Sequence, residues 1–111
     1  MSILKTKLEK NNSGISSDDL DVIIQILSKY PEVEKAFVFG SRAKGNYQKG
    51  SDIDLCVKGK KITSTLVSKI HWDLEEETIL PYFFDVVGYE TISNTSLKEH
   101  IDRVAQVIYE S

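Results

Sequence analysis

The chain has 111 residues, 41% of them hydrophobic and 28% charged, with 14 Lys+Arg against 17 Asp+Glu for a formal net charge of -3. That length suits one ordinary domain with one core, and the apolar fraction and balanced charge exclude an intrinsically disordered chain. No apolar run is long enough to span a membrane, MSILKTKLEKNNSG lacks the features of a secretory signal, the lone Cys56 excludes an intrachain disulfide, and the mild acidity argues against direct nucleic-acid binding.

Residues 1–14, with spaced lysines and the Asn11-Asn12-Ser13-Gly14 break, read as a frayed lead-in or a short helix. Ser16 is suited to cap a helix, with Asp19 three residues on and Ile15 and Leu20 at the hydrophobic-staple positions. Leu20, Ile23, Ile24 and Leu27 continue at helical spacing until Pro31 stops the run. Residues 33–39, β-branched and aromatic, predict a strand that Gly40-Ser41 closes. A polar connection leads to a second strand over 51–57. Leu66, Val67, Ile70 and Leu74 then mark an amphipathic helix from about 64 to 77. Pro81 precedes a third strand over 82–87, closed by Gly88. Ser96 with Glu99 forms a capping box, and Leu97, Ile101, Val104, Ala105 and Ile108 supply the buried face of a last helix. The expectation is a single α/β (α+β) domain over 1–111. Its small mixed sheet, of three strands or slightly more, packs against helices.

Three features carry chemistry. In Ser51-Asp52-Ile53-Asp54-Leu55, strand alternation sends Asp52 and Asp54 to one face and Ile53, Leu55 and Val57 to the other. Two such carboxylates repel, and burial raises a pKa unless a cation lies between them. Oxygen-only ligation suits Mg²⁺; the plainer reading is a solvent-facing polar edge. Second, Gly40-Ser41 at a strand end, followed by Arg42, Lys44 and Gly45, fits close backbone approach to a phosphate, a hydroxyl donor and a guanidinium fork. An ordinary turn with solvated basic residues is the alternative. Third, Asp85 sits within an apolar strand. If buried it needs a partner, which a metal shared with Asp52 and Asp54 would supply; otherwise it is an edge-strand Asp facing water or a cation.

Gly40-Ser41-Arg42-Ala43-Lys44-Gly45, then Ser51-Asp52-Ile53-Asp54-Leu55, then a lone Asp85 on a later strand resemble the DNA polymerase beta–type nucleotidyltransferase superfamily. The short chain resembles its minimal nucleotidyltransferase branch, and the likeness spans residues 18–109. The resemblance implies that Asp52 and Asp54 hold two Mg²⁺ ions, with Asp85 completing the site for the metal that activates the acceptor. It also implies that Gly40 and Ser41 contact the triphosphate of ATP, with Arg42 a further phosphate contact. The implied reaction moves AMP from ATP to a hydroxyl and releases pyrophosphate. The minimal branch further implies a cytoplasmic antitoxin encoded beside a helical HEPN-type toxin. Such an antitoxin forms a hetero-oligomer with the toxin and, in some cases, adenylylates a tyrosine on it. Two other readings belong to different classes: a non-catalytic nucleotide-binding module that neutralises its partner by complex formation, and an antibiotic nucleotidyltransferase. Relatives of the latter kind carry an additional helical domain. An Asp-x-Asp phosphatase is disfavoured because Asp54 runs on into Leu55-Cys56-Val57 rather than a Gly-Thr turn.

Other residues read as structural. His71 fits a surface or partly buried position rather than a ligand, and Cys56 fits packing. Trp72 is either core or an exposed aromatic for a partner. Glu75-Glu76-Glu77 reads as a solvated helix end, and Lys58, Lys60 and Lys61 as turn flanks that could also draw in an anionic substrate.

Overall fold

The computed structural model describes residues 15–40 and 52–111, so the expected lead-in over 1–14 lies outside the described residues. Helix α1 (Ser17–Ser28) starts as its sequence dictates. Ser16 Oγ accepts from the Asp19 N–H at 3.1 Å, and Ile15 and Leu20 are buried on either side of the cap. Asp18 and Asp19 place negative charge at the positive end of the helix dipole. Leu20, Ile23, Ile24, Ile26 and Leu27 are buried.

Strands β1 (Lys35–Phe39) and β2 (Ile53–Lys58) pair antiparallel. Helix α2 (Ser64–Glu76) is capped by Thr63, whose Oγ1 accepts from the Leu66 N–H at 3.1 Å. It provides the crossover to β3 (Phe84–Gly88), which lies parallel to β2; a parallel pair needs such a connection. A 3-10 turn (Tyr89–Thr91) leads to helix α3 (Thr95–Val104) and to β4 (Gln106–Glu110). The sheet order is β3-β2-β1-β4.

Alternation gives the sheet two apolar faces. On one, Ala36, Val38, Ile53, Leu55, Val57, Phe84 and Ile108 pack with Leu20, Ile23 and Leu27 of α1 and Leu66, Ile70 and Leu74 of α2. Ile23, Leu27, Ile53, Leu55, Ile70, Leu74 and Ile108 are fully enclosed there, each contributing about 1.5–3 kcal/mol relative to exposure. On the other face Phe37, Phe39, Cys56 and Val87 pack under Leu97, Ile101 and Val104 of α3. Among the described residues no helix is long and apolar enough to cross a membrane.

The structure corrects the C-terminal expectation. The last helix stops at Val104, Ala105 turns to extended backbone, and 106–110 form a strand beside β1. Ala105 and Ile108 continue the helical spacing, but a short apolar run fits either period, and β-branched and aromatic Val107, Ile108 and Tyr109 suit the vacant edge of β1. A bulge pairs Ala36 with Tyr109 and Phe37 with Val107, which turns both Ile108 and Tyr109 into the same core. The cap of α3 is Asn94 rather than Ser96: Asn94 Oδ1 accepts from the Leu97 N–H at 3.0 Å. The third strand begins at Phe84, two residues later than expected, where the Phe84 N–H donates to Glu75 Oε2 at 2.7 Å.

Urea unfolding checks both corrections. Asn94→Ala should cost about 1 kcal/mol, whereas Ser96→Ala should stay within about 0.5 kcal/mol of the parent. Ile108→Ala should cost about 2–5 kcal/mol through the cavity it leaves. A larger loss at Ser96 than at Asn94 would reverse the cap assignment.

Candidate active site

The site grows from one cross-strand row. Register places Phe39 of β1 opposite Asp54 of β2, and Asp54 opposite Asp85 of β3. Neighbouring strands lie about 4.8 Å apart, and laterally paired residues project to the same face. Phe39, Asp54 and Asp85 therefore stand side by side on the α3 face of the sheet. Asp52 lies just before β2, which starts at Ile53 rather than at the expected Ser51, so the strand alternation does not extend to it.

Gly40, immediately after β1, has φ of 74°, a left-handed conformation that costs a residue with a Cβ about 1–2 kcal/mol. A Cβ there would also collide with Asp54 Oδ2. Backbone shape is the stronger reason for glycine, and the Asp54 carboxylate, which would have to shift, is the second.

Asp54 is half-buried, and its carboxyl is raised above the usual range, first by burial and then by the negative charges of Asp85 and Asp52. Asp52 and Asp85 are exposed. Asp85 is therefore the edge-strand, water-facing residue of the two alternatives weighed from sequence, yet it remains in register with Asp54. Among the described residues no three or more His, Cys, Asp or Glu side chains form a group that could hold a metal. Ser41 and Arg42, with Lys44, Gly45 and Ser51, lie outside the described residues. Of the expected site residues the structure joins Gly40, Asp54 and Asp85, with Asp52 near enough to act on the charge of Asp54.

One neighbour was not visible in the sequence. His100 of α3 meets Phe39 edge-to-face, with centroids 6.1 Å apart and planes at 76°, so an imidazole lies over the residue next to Asp54 in the row. No local signal marks it, because its place depends on how α3 crosses the sheet. The residues read as structural behave accordingly. His71 is exposed and pairs with Glu75 at 3.1 Å. Burial pushes the Cys56 thiol up to about 12, leaving it protonated and unreactive. Trp72, left open between core and surface, is 60% exposed. Glu75 departs from the solvated helix end by accepting from the Phe84 N–H. Lys58 lies over the Tyr89 ring, 4.7 Å from its centroid.

A double-mutant cycle tests the Gly40–Asp54 contact. Gly40→Ala should destabilise by more than about 1 kcal/mol, and by measurably less in an Asp54→Ala background where the collision is gone; equal losses in both backgrounds would show that the two do not touch. A raised folded-state pKa favours the protonated form, so the contribution of Asp54 to stability is present in acid and lost as pH rises through its folded pKa. Asp54→Asn should therefore be more stable than the parent at pH 7, with the advantage shrinking as pH falls toward the ordinary carboxylate range, read from urea midpoints across pH.

Residues 21–111 match the polymerase beta nucleotidyltransferase family. The probable protein adenylyltransferase MntA of Haemophilus influenzae is 30% identical over 96 residues, covering 86% of this chain and 83% of that protein. A solved toxin–antitoxin structure with AMP-PNP superposes with a TM-score of 0.71 at 20% identity, over 84% of this chain and 74% of that one. The complex of tri-AMPylated Shewanella oneidensis HEPN toxin with MNT antitoxin gives 0.64 at 18% identity, over 83% and 70%. These structural likenesses speak for the fold. The sequence match over 21–111 and the likeness to MntA of Haemophilus influenzae show that this chain belongs to the polymerase beta nucleotidyltransferase family and is a homologue of MntA.

Proposed function

We propose that this chain is an MntA-like adenylyltransferase antitoxin, a single domain that moves AMP from ATP to a hydroxyl, a tyrosine of a HEPN-class toxin, with Mg²⁺. The observation that carries the reading is the register of Asp54 against Asp85 with Gly40 beneath Asp54. In this assignment Asp52, Asp54 and Asp85 are the metal-holding and catalytic carboxylates, and Gly40, Ser41 and Arg42 receive the triphosphate. The donor set fits the ion: hard oxygens only, at least two on one face, and a carboxylate whose pKa is raised first by burial and then by its like-charged neighbours. When bound, Mg²⁺ supplies charge neutralisation at the transferring phosphoryl group.

The remaining chemistry belongs to the chain. Glycine at 40 gives phosphate oxygens close access to the backbone. Asp85, exposed on the edge strand, is accessible to an incoming hydroxyl and suited to accept its proton. The hydroxyl oxygen then bonds to the α-phosphorus as the bond to the bridging oxygen breaks and pyrophosphate departs. The second reading is a binding-only antitoxin, which would neutralise its partner by complex formation without transfer.

Incubation with the HEPN-class protein encoded beside this chain, Mg²⁺ and α-labelled ATP separates the two readings. Transfer predicts label on the partner, its loss with EDTA, and a drop of about 100-fold or more for Asp52→Asn or Asp54→Asn. Asp85→Asn should lose transfer while largely keeping nucleotide binding. A stable complex with wild type that never acquires label would leave the binding-only reading in its place.

A further inference from the structure

We propose that the exposed apolar surface of Trp72, Ile79 and Phe83 is the docking surface for a protein partner with a basic, apolar face, which it seats beside the carboxylate row. This rests on the proposed function and adds where the acceptor sits and what chemistry it presents. Among the described residues these are the large hydrophobics left exposed, at 60%, 101% and 71% respectively. All three fall within twelve residues, from the last turns of α2 to the entry of β3. Scattered exposed apolar residues are ordinary, whereas three large ones within twelve residues set this segment apart from the rest of the described surface.

The segment is built to present them. Thr78 Oγ1 donates to the Leu74 carbonyl at 2.6 Å, and the Leu80 N–H donates to Thr78 Oγ1 at 3.3 Å. The Phe84 N–H is held by Glu75, and the Tyr82 hydroxyl donates to Asp19 Oδ2 at 2.7 Å. Leu80 and Tyr82 pack against the core. The backbone is thus tied down while Ile79 and Phe83 face water, an arrangement that lowers the ordering cost of binding.

Charge names the partner. Residues 69–88 contain five carboxylates, Asp73, Glu75, Glu76, Glu77 and Asp85, and one lysine, Lys69. Asp73 accepts from the Tyr30 hydroxyl and Glu75 pairs with His71, which leaves Glu76 and Glu77 exposed within the same segment as Trp72, Ile79 and Phe83. Glu75 and Glu76 line one cleft with Phe83, of about 310 Å³. A segment that exposes both apolar residues and carboxylates matches a surface of apolar residues flanked by Lys or Arg, and its charge repels nucleic acid.

Position ties this surface to the chemistry. The Phe83 carbonyl accepts from the Ile53 N–H at 2.9 Å. Ile53 lies between Asp52 and Asp54, and Phe83 is two residues before Asp85. A protein seated on Phe83 is therefore immediately adjacent to the carboxylate row. The larger cleft of about 740 Å³, lined by Lys35, Lys58, Lys60, Glu34, Glu90 and Glu110, lies at the far end of β1 and β2 and is balanced in sign.

The test measures the Kd of the full chain for the neighbouring HEPN-class protein, with ATP binding followed in parallel. Trp72→Ala/Phe83→Ala should raise Kd at least tenfold, and Glu76→Lys/Glu77→Lys should do the same at low salt while flattening the salt dependence. Lys35→Ser, at the far end of the sheet, should leave Kd unchanged, and ATP affinity should hold in every variant. The charge-reversal pair changes only exposed side chains, so it remains informative if the aromatic pair alters folding. Wild-type affinity in both double variants would overturn this surface and leave the proposed function intact. No complex with wild type would remove the partner from both.

Discussion

The parallel pairing of β2 with β3 is the constraint on which the site depends. It sets Asp54 directly against Asp85, two like charges on adjacent strands, and places Asp52 close enough to add to the repulsion. Hydrophobic burial holds this arrangement together. Ile53 and Leu55, alternating with the acidic positions, are fully enclosed on the opposite face, so sliding β2 by one residue would expose the core while burying charge. The raised carboxyl of Asp54 is the electrostatic cost of that register. A divalent cation or a protonated neighbour would relieve it.

The two faces of the sheet divide the labour. The α1–α2 face is a closed apolar core and carries the stability. The α3 face is smaller, and its apolar cluster continues directly into the polar row, with Phe39 the common member. Gly40 marks the boundary, where the chain must turn with positive φ and leave room for a carboxylate. The β3 edge lies beyond this row, with Phe83 and Asp85 on neighbouring positions of one chain segment. Under the proposed function, that proximity couples transfer at the row to a surface able to receive another protein.

Much of this was legible beforehand. Ser16 announced α1 through its cap and staple, α2 followed from four apolar residues at helical spacing, and the sidedness of β2 followed from strict alternation. The DxD pair, Gly40 and the later Asp85 drew attention because of their order along the chain. The C-terminal strand was not legible. Its apolar residues satisfy helical spacing as well as strand propensity, and only the open edge of β1 decides between them. Asn94, not the expected Ser96, caps α3, and the choice turns on where the backbone leaves extended geometry. His100 gave no sign at all, since it reaches Phe39 through the crossing of α3 over the sheet.

Local chemistry, then, belonged to the sequence: which stretches before residue 106 form helices or strands, which side of β2 is acidic, which glycine follows a strand, and that the acidic residues come in a recognisable order. These follow from periodicity, capping and the φ preferences of individual residues, all of which act over a few positions. Tertiary structure alone decided that Asp85 stands opposite Asp54, that it does so exposed to water, that Gly40 makes room for the Asp54 carboxylate, and that Trp72, Ile79 and Phe83 remain uncovered. Each of these depends on strand register and on which surfaces the two cores leave free, quantities set by contacts between residues far apart in the chain.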